Sequence, residues 1–464
     1  MSDTSTINSI PTSQGMSSSR KIGLLTMMAT CIGMVIVQGA MISAMQGIGL
    51  GGMGFIFAML AALIIAQFNA MSFSELSLMF PQEGTLATYT QKAIGHFPAI
   101  VSVFAGYVVV ATLALPVELF LVDAMVGQLL PGMFPEKLIP ILIVAILAIT
   151  NIIGTDVFSK VQNVLAFVMV SALILVGLAA VSGSPEPHPV LTGATVDWGF
   201  SGVTNGSFIG LIALAMWLFV GSEYICPMIN EVKNPEKNIP KAMRLSLLAI
   251  FCIFALFVYG ASLYLNTDEL LKSPIPYLNY ANAVFGKAGL IIATIMALTA
   301  TCSTVNTIFA ALPRMLHGMA QEKQAFPILK ATNRFGSPWV GIVMMAVLSV
   351  IPFLAMTIDS LIVFVIAAAT TSYLLAYIIA HIDVIVLRRR MPNHKRPYRT
   401  PFFPIPQILG IIAMVYVALN NSPSPDMTKM VYSIAGGMLA VICVIAAIWV
   451  KFYMKRGLFE PDMD

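Results

Sequence analysis

The chain has 464 residues, of which 58% are hydrophobic and only 10% charged, and its mean hydropathy is +0.89. A soluble protein carries about a quarter charged residues, so a soluble enzyme with an oily core is excluded and a polytopic membrane protein is indicated. The formal charge of +4 bears on orientation in the membrane and gives no sign of a nucleic-acid partner.

In chain order, residues 1–19 (MSDTSTINSIPTSQGMSSS) are polar and rich in Ser and Thr. They lack the apolar run of a signal peptide and are expected to form a disordered cytoplasmic tail. A bilayer core of ~30 Å takes about 20 apolar residues per helix. Twelve stretches qualify: 23–47, 53–79, 99–130, 138–155, 157–182, 207–229, 240–265, 287–316, 338–356, 359–386, 404–421 and 428–452. The eleventh opens on Pro404 and Pro406. The segment 183–206 is rich in Pro and Gly, has no Lys or Arg, and reads as a surface connector. Cys31, Cys226, Cys252, Cys302 and Cys443 all fall within spans without metal-type spacing, as small buried hydrophobes would. The implied organisation is a ten-helix core over 20–402, with repeats 20–182 and 207–386. Helices 11 and 12 follow over 403–453, and then a tail over 454–464.

Orientation follows from the positive residues. With the N-terminus in the cytoplasm, 21 Lys and Arg fall inside and only Lys137, Lys272, Lys287 and Lys429 fall outside. Both termini are therefore expected in the cytoplasm. The loops are short and leave no room for a soluble catalytic domain. No HExxH, Walker A loop, nucleophile elbow or histidine cluster occurs. Neither a cofactor nor a metal is expected, and ATP-driven transport is disfavoured. An ion channel is disfavoured because no filter-like repeat is present.

Two spans carry an interruption. The first has Gln38-Gly39 at its centre, and the sixth has Gly221-Ser222-Glu223 past its midpoint with Pro227 just beyond. In lipid, a broken backbone is tolerated only where protein or a water-filled cavity satisfies the freed groups. Interrupted segments at matching positions in two halves mark a transporter binding site. Free N–H groups at the start of one half-helix suit a carboxylate, and free carbonyls at the end of the other suit an ammonium group. The plainer alternative is that Gly39 and Gly221 merely let helices pack closely. A carboxylate at the depth of Glu223 is costly and points to function, here acceptance of a proton. The alternative for Glu223 is a structural hydrogen bond to a neighbouring helix.

The run WLFVGSEYICPMINEVKNPEKNIPKAM resembles the sixth-helix signature of the amino acid–polyamine–organocation permeases. It has Glu231, Asn234, Pro235, Ile239, Pro240 and Ala242 in the following loop. The stretches 72–95, 312–327 and 387–405 are similar to that family's exits from helices two and eight and to its basic loop after helix ten. The resemblance covers roughly 22–450. It implies an all-α polytopic protein with a LeuT-like 5+5 inverted repeat, broken helices 1 and 6, and alternating access. The substrate implied is a small amino acid or related amine, carried across a lipid bilayer, with H+ as a candidate coupling ion. Trp217 and Phe219 match the family's aromatic gates, Val37 to Ala40 (Val37, Gln38, Gly39, Ala40) the carboxylate-binding turn, and Glu223 a gating or proton-linked glutamate. Compactness suggests a bacterial inner membrane.

Some positions depart from the family pattern. Many members have Gly-Ser-Gly in the first break, where this chain has Val37-Gln38-Gly39, which keeps polyamines and amino alcohols open as substrates. Some members place a lysine in helix five, and the nearest counterpart here is Met169. Glu118, beyond Pro116 in span three, either attracts a substrate ammonium or sits in a wet vestibule, and Asp123 is expected at the interface. Ser303, Thr304 and Asn306 in span eight, and residues 370–373 in span ten, either line the pathway or bond to their own helices. His317 and His381 lie near span ends and are expected at the interface.

Overall fold

The computed structural model describes residues 22–204, 208–356, 359–421 and 428–462; for 201, 204 and 359–370 it gives the backbone alone. The expected tail 1–19, Arg20, Lys21 and the side chain of Thr370 lie outside the described residues. The described residues are helical throughout apart from loops and one isolated bridge.

The helices in order are α1 (Leu24–Val35), α2 (Gln38–Gly51), α3 (Met53–Met79), α4 (Leu86–Ala93), α5 (His96–Leu129), α6 (Leu138–Ile153), α7 (Thr155–Ser182) and α8 (Phe208–Met216). There follow α9 (Pro235–Tyr264), α10 (Thr267–Lys272), α11 (Pro276–Phe285), α12 (Lys287–Gln321), α13 (Trp339–Ala355), α14 (Asp359–Arg390), α15 (Ile405–Leu419) and α16 (Thr428–Ile448). Among the described residues, eight helices are long and apolar enough to cross a membrane, and the bent pair α1 and α2 makes a ninth. The fourth, ninth and eleventh expected spans are the shorter apolar helices α6, α13 and α15. Outward positions such as Phe167, Leu178 and Ile291 are exposed, as side chains meeting lipid would be.

Both interruptions are present. The axes of α1 and α2 meet at 64°. Ile36 (φ −82°, ψ 99°) and Val37 (φ −123°, ψ 167°) are extended, the conformation that β-branched side chains favour. The break therefore falls at Ile36-Val37, sharing Val37 with the expected Val37-Gln38-Gly39, while Gln38 and Gly39 open α2. In the second broken helix, α8 gives way to a 3-10 turn (Trp217–Phe219), then extended Val220, then Gly221 at φ +118°. That φ is available to glycine at little cost, and a Cβ there would lie 2.8 Å from Met34 Cγ. The chain continues as a 3-10 stretch, Ser222–Glu231, in which Pro227 removes a backbone donor. It ends before Asn234 and Pro235, which start α9 with proline in its first turn.

The helix α12 is the hub of the core, packing against α1, α6, α7, α11, α13 and the 3-10 stretch. Close approach to α1 depends on Gly33, where a Cβ would fall 1.9 Å from Ser303 Oγ.

The end of the molecule carrying the Lys- and Arg-rich loops is tied across by polar groups. Buried Glu75 on α3 accepts from Arg388 Nε (2.8 Å) and Nη2 (2.7 Å) and from the Thr400 amide (2.8 Å). Arg396 Nε lies 3.5 Å away. Ile22 pairs in parallel with Val232: its amide donates to Glu231 O and its carbonyl accepts from Lys233 N, both at 2.9 Å. Glu231 in turn accepts from Arg314 Nη2 on α12 (3.1 Å). Nearby, His317 meets Glu83 at 3.0 Å.

Two expectations need correction. His381 is not interfacial. It is fully buried, with Nδ1 2.9 Å from Ser72 Oγ and Nε2 2.8 Å from Asn69 Oδ1, because polar residues of α3 face α14. The cysteines are all free, but only Cys31 and Cys226 are buried; Cys252 is exposed on the outer face of α9.

Candidate functional site

A cavity with a volume of about 60 Å³ for the centres of water molecules lies between the two breaks, α5 and α12. Its polar lining comes from Gly39, Glu118, Trp217, Tyr224, Thr304 and Tyr373, and Val110, Ala111, Leu115 and Ile308 supply an apolar wall. It would hold a few waters at ~10–15 Å³ each. Val37 and Val220, the extended residue of each break, both line it.

Glu118 determines the character of this cavity. It is only 6% exposed. Its Oε2 accepts from the Gln38 amide (3.1 Å) and Thr301 Oγ1 (3.0 Å), and its Oε1 accepts from the Gly39 amide (2.9 Å). The N-terminus of α2 presents free N–H groups and the positive end of a helix dipole. The protein's own carboxylate has taken that seat. A relay holds it: Tyr277 Oη donates to Gln38 Oε1, and Gln38 Nε2 donates to Thr301 Oγ1 (2.7 Å). Glu118 is therefore not a wet vestibule residue.

Glu223 lies one layer away, 2% exposed and screened from the cavity by Tyr224 and Tyr373. Tyr373 Oη donates to its Oε1, Tyr377 Oη to its Oε2 (2.9 Å), and Tyr107 Oη reaches Oε1 at 3.5 Å. Tyr377 Oη also accepts from the Gly221 amide (3.1 Å), so α14 holds the broken turn itself. The ring faces support the cluster, with Tyr107 edge-on to both Tyr224 and Tyr373.

The remaining expected residues separate into two groups. Val37, Gly39 and Trp217 line the cavity. Gln38, Ala40, Phe219 and Gly221 are buried behind it, Gln38 and Gly221 acting through hydrogen bonds and Phe219 through packing. Ser303 and Asn306 face away from it. Gln162 Nε2 on α7 donates to Ser303 Oγ (2.7 Å) and to Ala29 O (3.1 Å). Asn306 Nδ2 donates to Gln162 Oε1 (2.9 Å), and Asn151 Nδ2 donates to Asn306 Oδ1 (2.8 Å). Gln162 thus ties α7 to both α1 and α12 by hydrogen bonds, and Met169, one of the buried residues of α7, is 0% exposed. Of the span-eight trio only Thr304 reaches the cavity, and its hydroxyl donates to Gly33 O (2.8 Å). Asp123 accepts from the Lys137 amide (2.7 Å) at the turn between α5 and α6.

Sequence reading missed Tyr107, Tyr277, Tyr377, Thr301 and Gln162, and reached Tyr373 only as one of residues 370–373. One signal was available: Tyr373 and Tyr377 are four apart and share a helix face.

Two broken helices facing each other across a cavity, inside a body of apolar helices, define a secondary transporter of the LeuT-like class. A solved manganese transporter from Eremococcus coleocola, determined as a point mutant, has the same fold, with a TM-score of 0.60 over 92% of this chain and 95% of that one at 12% identity. The chain belongs to the amino acid permease family, whose model, described as amino acid permease, matches residues 22–448. It is 24% identical to the human cystine/glutamate transporter over 424 residues, covering 88% of this chain and 82% of that protein. It is likewise 24% identical to the serine/threonine exchanger SteT of Bacillus subtilis (strain 168) over 412 residues, 86% and 90% of the two chains. The protein is an integral membrane permease for a small molecule and not an enzyme.

Proposed function

We propose that the protein moves amino acids or related amines across the membrane by alternating access, coupled to protons or to exchange. Polyamines and amino alcohols are the alternative substrates on the same fold. The observation that carries this reading is the cavity bounded by both breaks, with Val37 from one and Val220 from the other. Exchange is the named activity of the Bacillus relative.

Glu223 is the coupling residue in this reading, since it is buried among three tyrosines and tied through Tyr377 to the turn that must move. A carboxylate so placed, with no basic group among its hydrogen-bond partners, is suited to take up and release a proton. Sodium is disfavoured. Where α1, α7 and α12 meet, the oxygens of Ala29, Ser303 and Gly33 already accept from Gln162 and Thr304. By the distribution of positive charge the basic end and both termini face the cytoplasm, and the compactness of the chain favours a bacterial inner membrane. Uptake into proteoliposomes of a radiolabelled panel of amino acids and amines tests the reading. Saturable flux at alternating-access rates supports it, whereas channel-scale flux or none across the panel refutes it.

A further inference from the structure

We infer that Glu118 fills the carboxylate seat of the pocket, so that the transported solute is a small primary amine cation without a carboxylate of its own. Resting on the transport reading above, this names the substrate class.

The donors at the start of α2 that would hold a carboxylate are already engaged by Glu118. The first two amides of α2, at Gln38 and Gly39, each donate to a separate oxygen of Glu118, and Thr301 donates to Oε2 as well. A zwitterion entering here would bring its carboxylate against one already seated. Among the described residues, no Lys or Arg lines the cavity to offset two such charges.

The acceptors remain available. Met34 and Val35 line the cavity at the end of α1. Their carbonyls would be bonded in a continuous helix by the amides of Gln38 and Gly39, which turn to Glu118 instead. These carbonyls sit at the negative end of the α1 dipole. Tyr224 adds a second and independent pointer. It lines the cavity, is 1% exposed, and its buried hydroxyl has no hydrogen-bond partner among the described residues. A buried polar atom left unpaired in a cavity marks a place for a ligand group. An ammonium group has three N–H donors, and Glu118, the α1 carbonyls and Tyr224 Oη are acceptors for it. Trp217 adds an aromatic surface, and Val110, Ala111, Leu115 and Ile308 suit a short apolar body.

The test compares matched pairs on the purified full chain: leucine with 3-methylbutylamine, phenylalanine with phenethylamine, serine with ethanolamine, and ornithine with putrescine. Binding is read by thermal stabilisation and transport by competition for uptake in proteoliposomes. The amine of at least one pair is expected to bind at least tenfold more tightly than its amino acid. In Glu118→Gln that preference is expected to vanish, while Glu118→Asp, which keeps the charge, retains it. Tighter binding of the amino acid than of its amine in the wild-type protein overturns the inference but leaves the permease reading intact, and decides the matter even where Glu118→Gln does not fold. Binding and uptake of neither series would overturn both.

Discussion

The Arg314–Glu231 contact predicts a measurable gate. Arg314 on α12 bridges to the far end of the second broken helix, with Nη2 3.1 Å from Glu231 Oε1. The side chains are 6% and 19% exposed, so solvent screens the pair only partly. A hydrogen bond to a charged group contributes about 1.5–3 kcal/mol, and each 1.4 kcal/mol is a factor of about ten. Partial exposure favours the lower figure. Glu231→Gln is therefore expected to shift the closed-to-open balance at the basic end by roughly tenfold. Arg314 keeps its bonds to Thr155 Oγ1 (3.0 Å) and Ala310 O (2.5 Å), so the fold should survive. The native thiols provide the readout. Cys31 and Cys226 are buried in the two half-helices between the cavity and the basic end. In a background lacking Cys252, Cys302 and Cys443, their maleimide labelling should speed up by roughly tenfold in Glu231→Gln. Unchanged labelling in folded protein would show that this pair does not hold the end closed.

Other perturbations follow from the same geometry. Glu223→Gln should flatten the pH dependence of uptake; an unaltered profile would remove Glu223 from coupling. Replacing sodium by potassium should leave the uptake rate unchanged, and strict dependence on sodium would contradict the satisfied oxygens around Gln162. Gln162→Ala should lower the melting temperature through lost buried hydrogen bonds, each worth about 1 kcal/mol or more. Glu75→Ala strands Arg388 and Arg396 and should cost about 3–5 kcal/mol, read as a lower unfolding midpoint and partly restored by Glu75→Ala with Arg388→Ala.

Local signals gave the spans and the existence of two breaks. Hydropathy is a property of a window, and the glycine, glutamate and proline at 221–227 announce their own disruption. The break in the first span was displaced because nothing at Ile36-Val37 looks unusual. It forms there because Glu118, eighty positions away in sequence, captures the amides of Gln38 and Gly39. Long-range pairing of this kind leaves no local trace. The tyrosines around Glu223 read as ordinary aromatic residues of apolar helices until the third dimension brings α5 and α14 together. Ser303 and Asn306 show the converse. Polar residues in an apolar span attract attention, yet each of these two is bonded to Gln162 in the scaffold.

The short pairing between Ile22 and Val232 has a mechanical consequence. It clamps the entrance of α1 to the exit of the second broken helix with two main-chain bonds. The two inner rods are thereby yoked and must swing together as a single lever. Any displacement of Ile22 would be felt directly by the segment bearing Glu223.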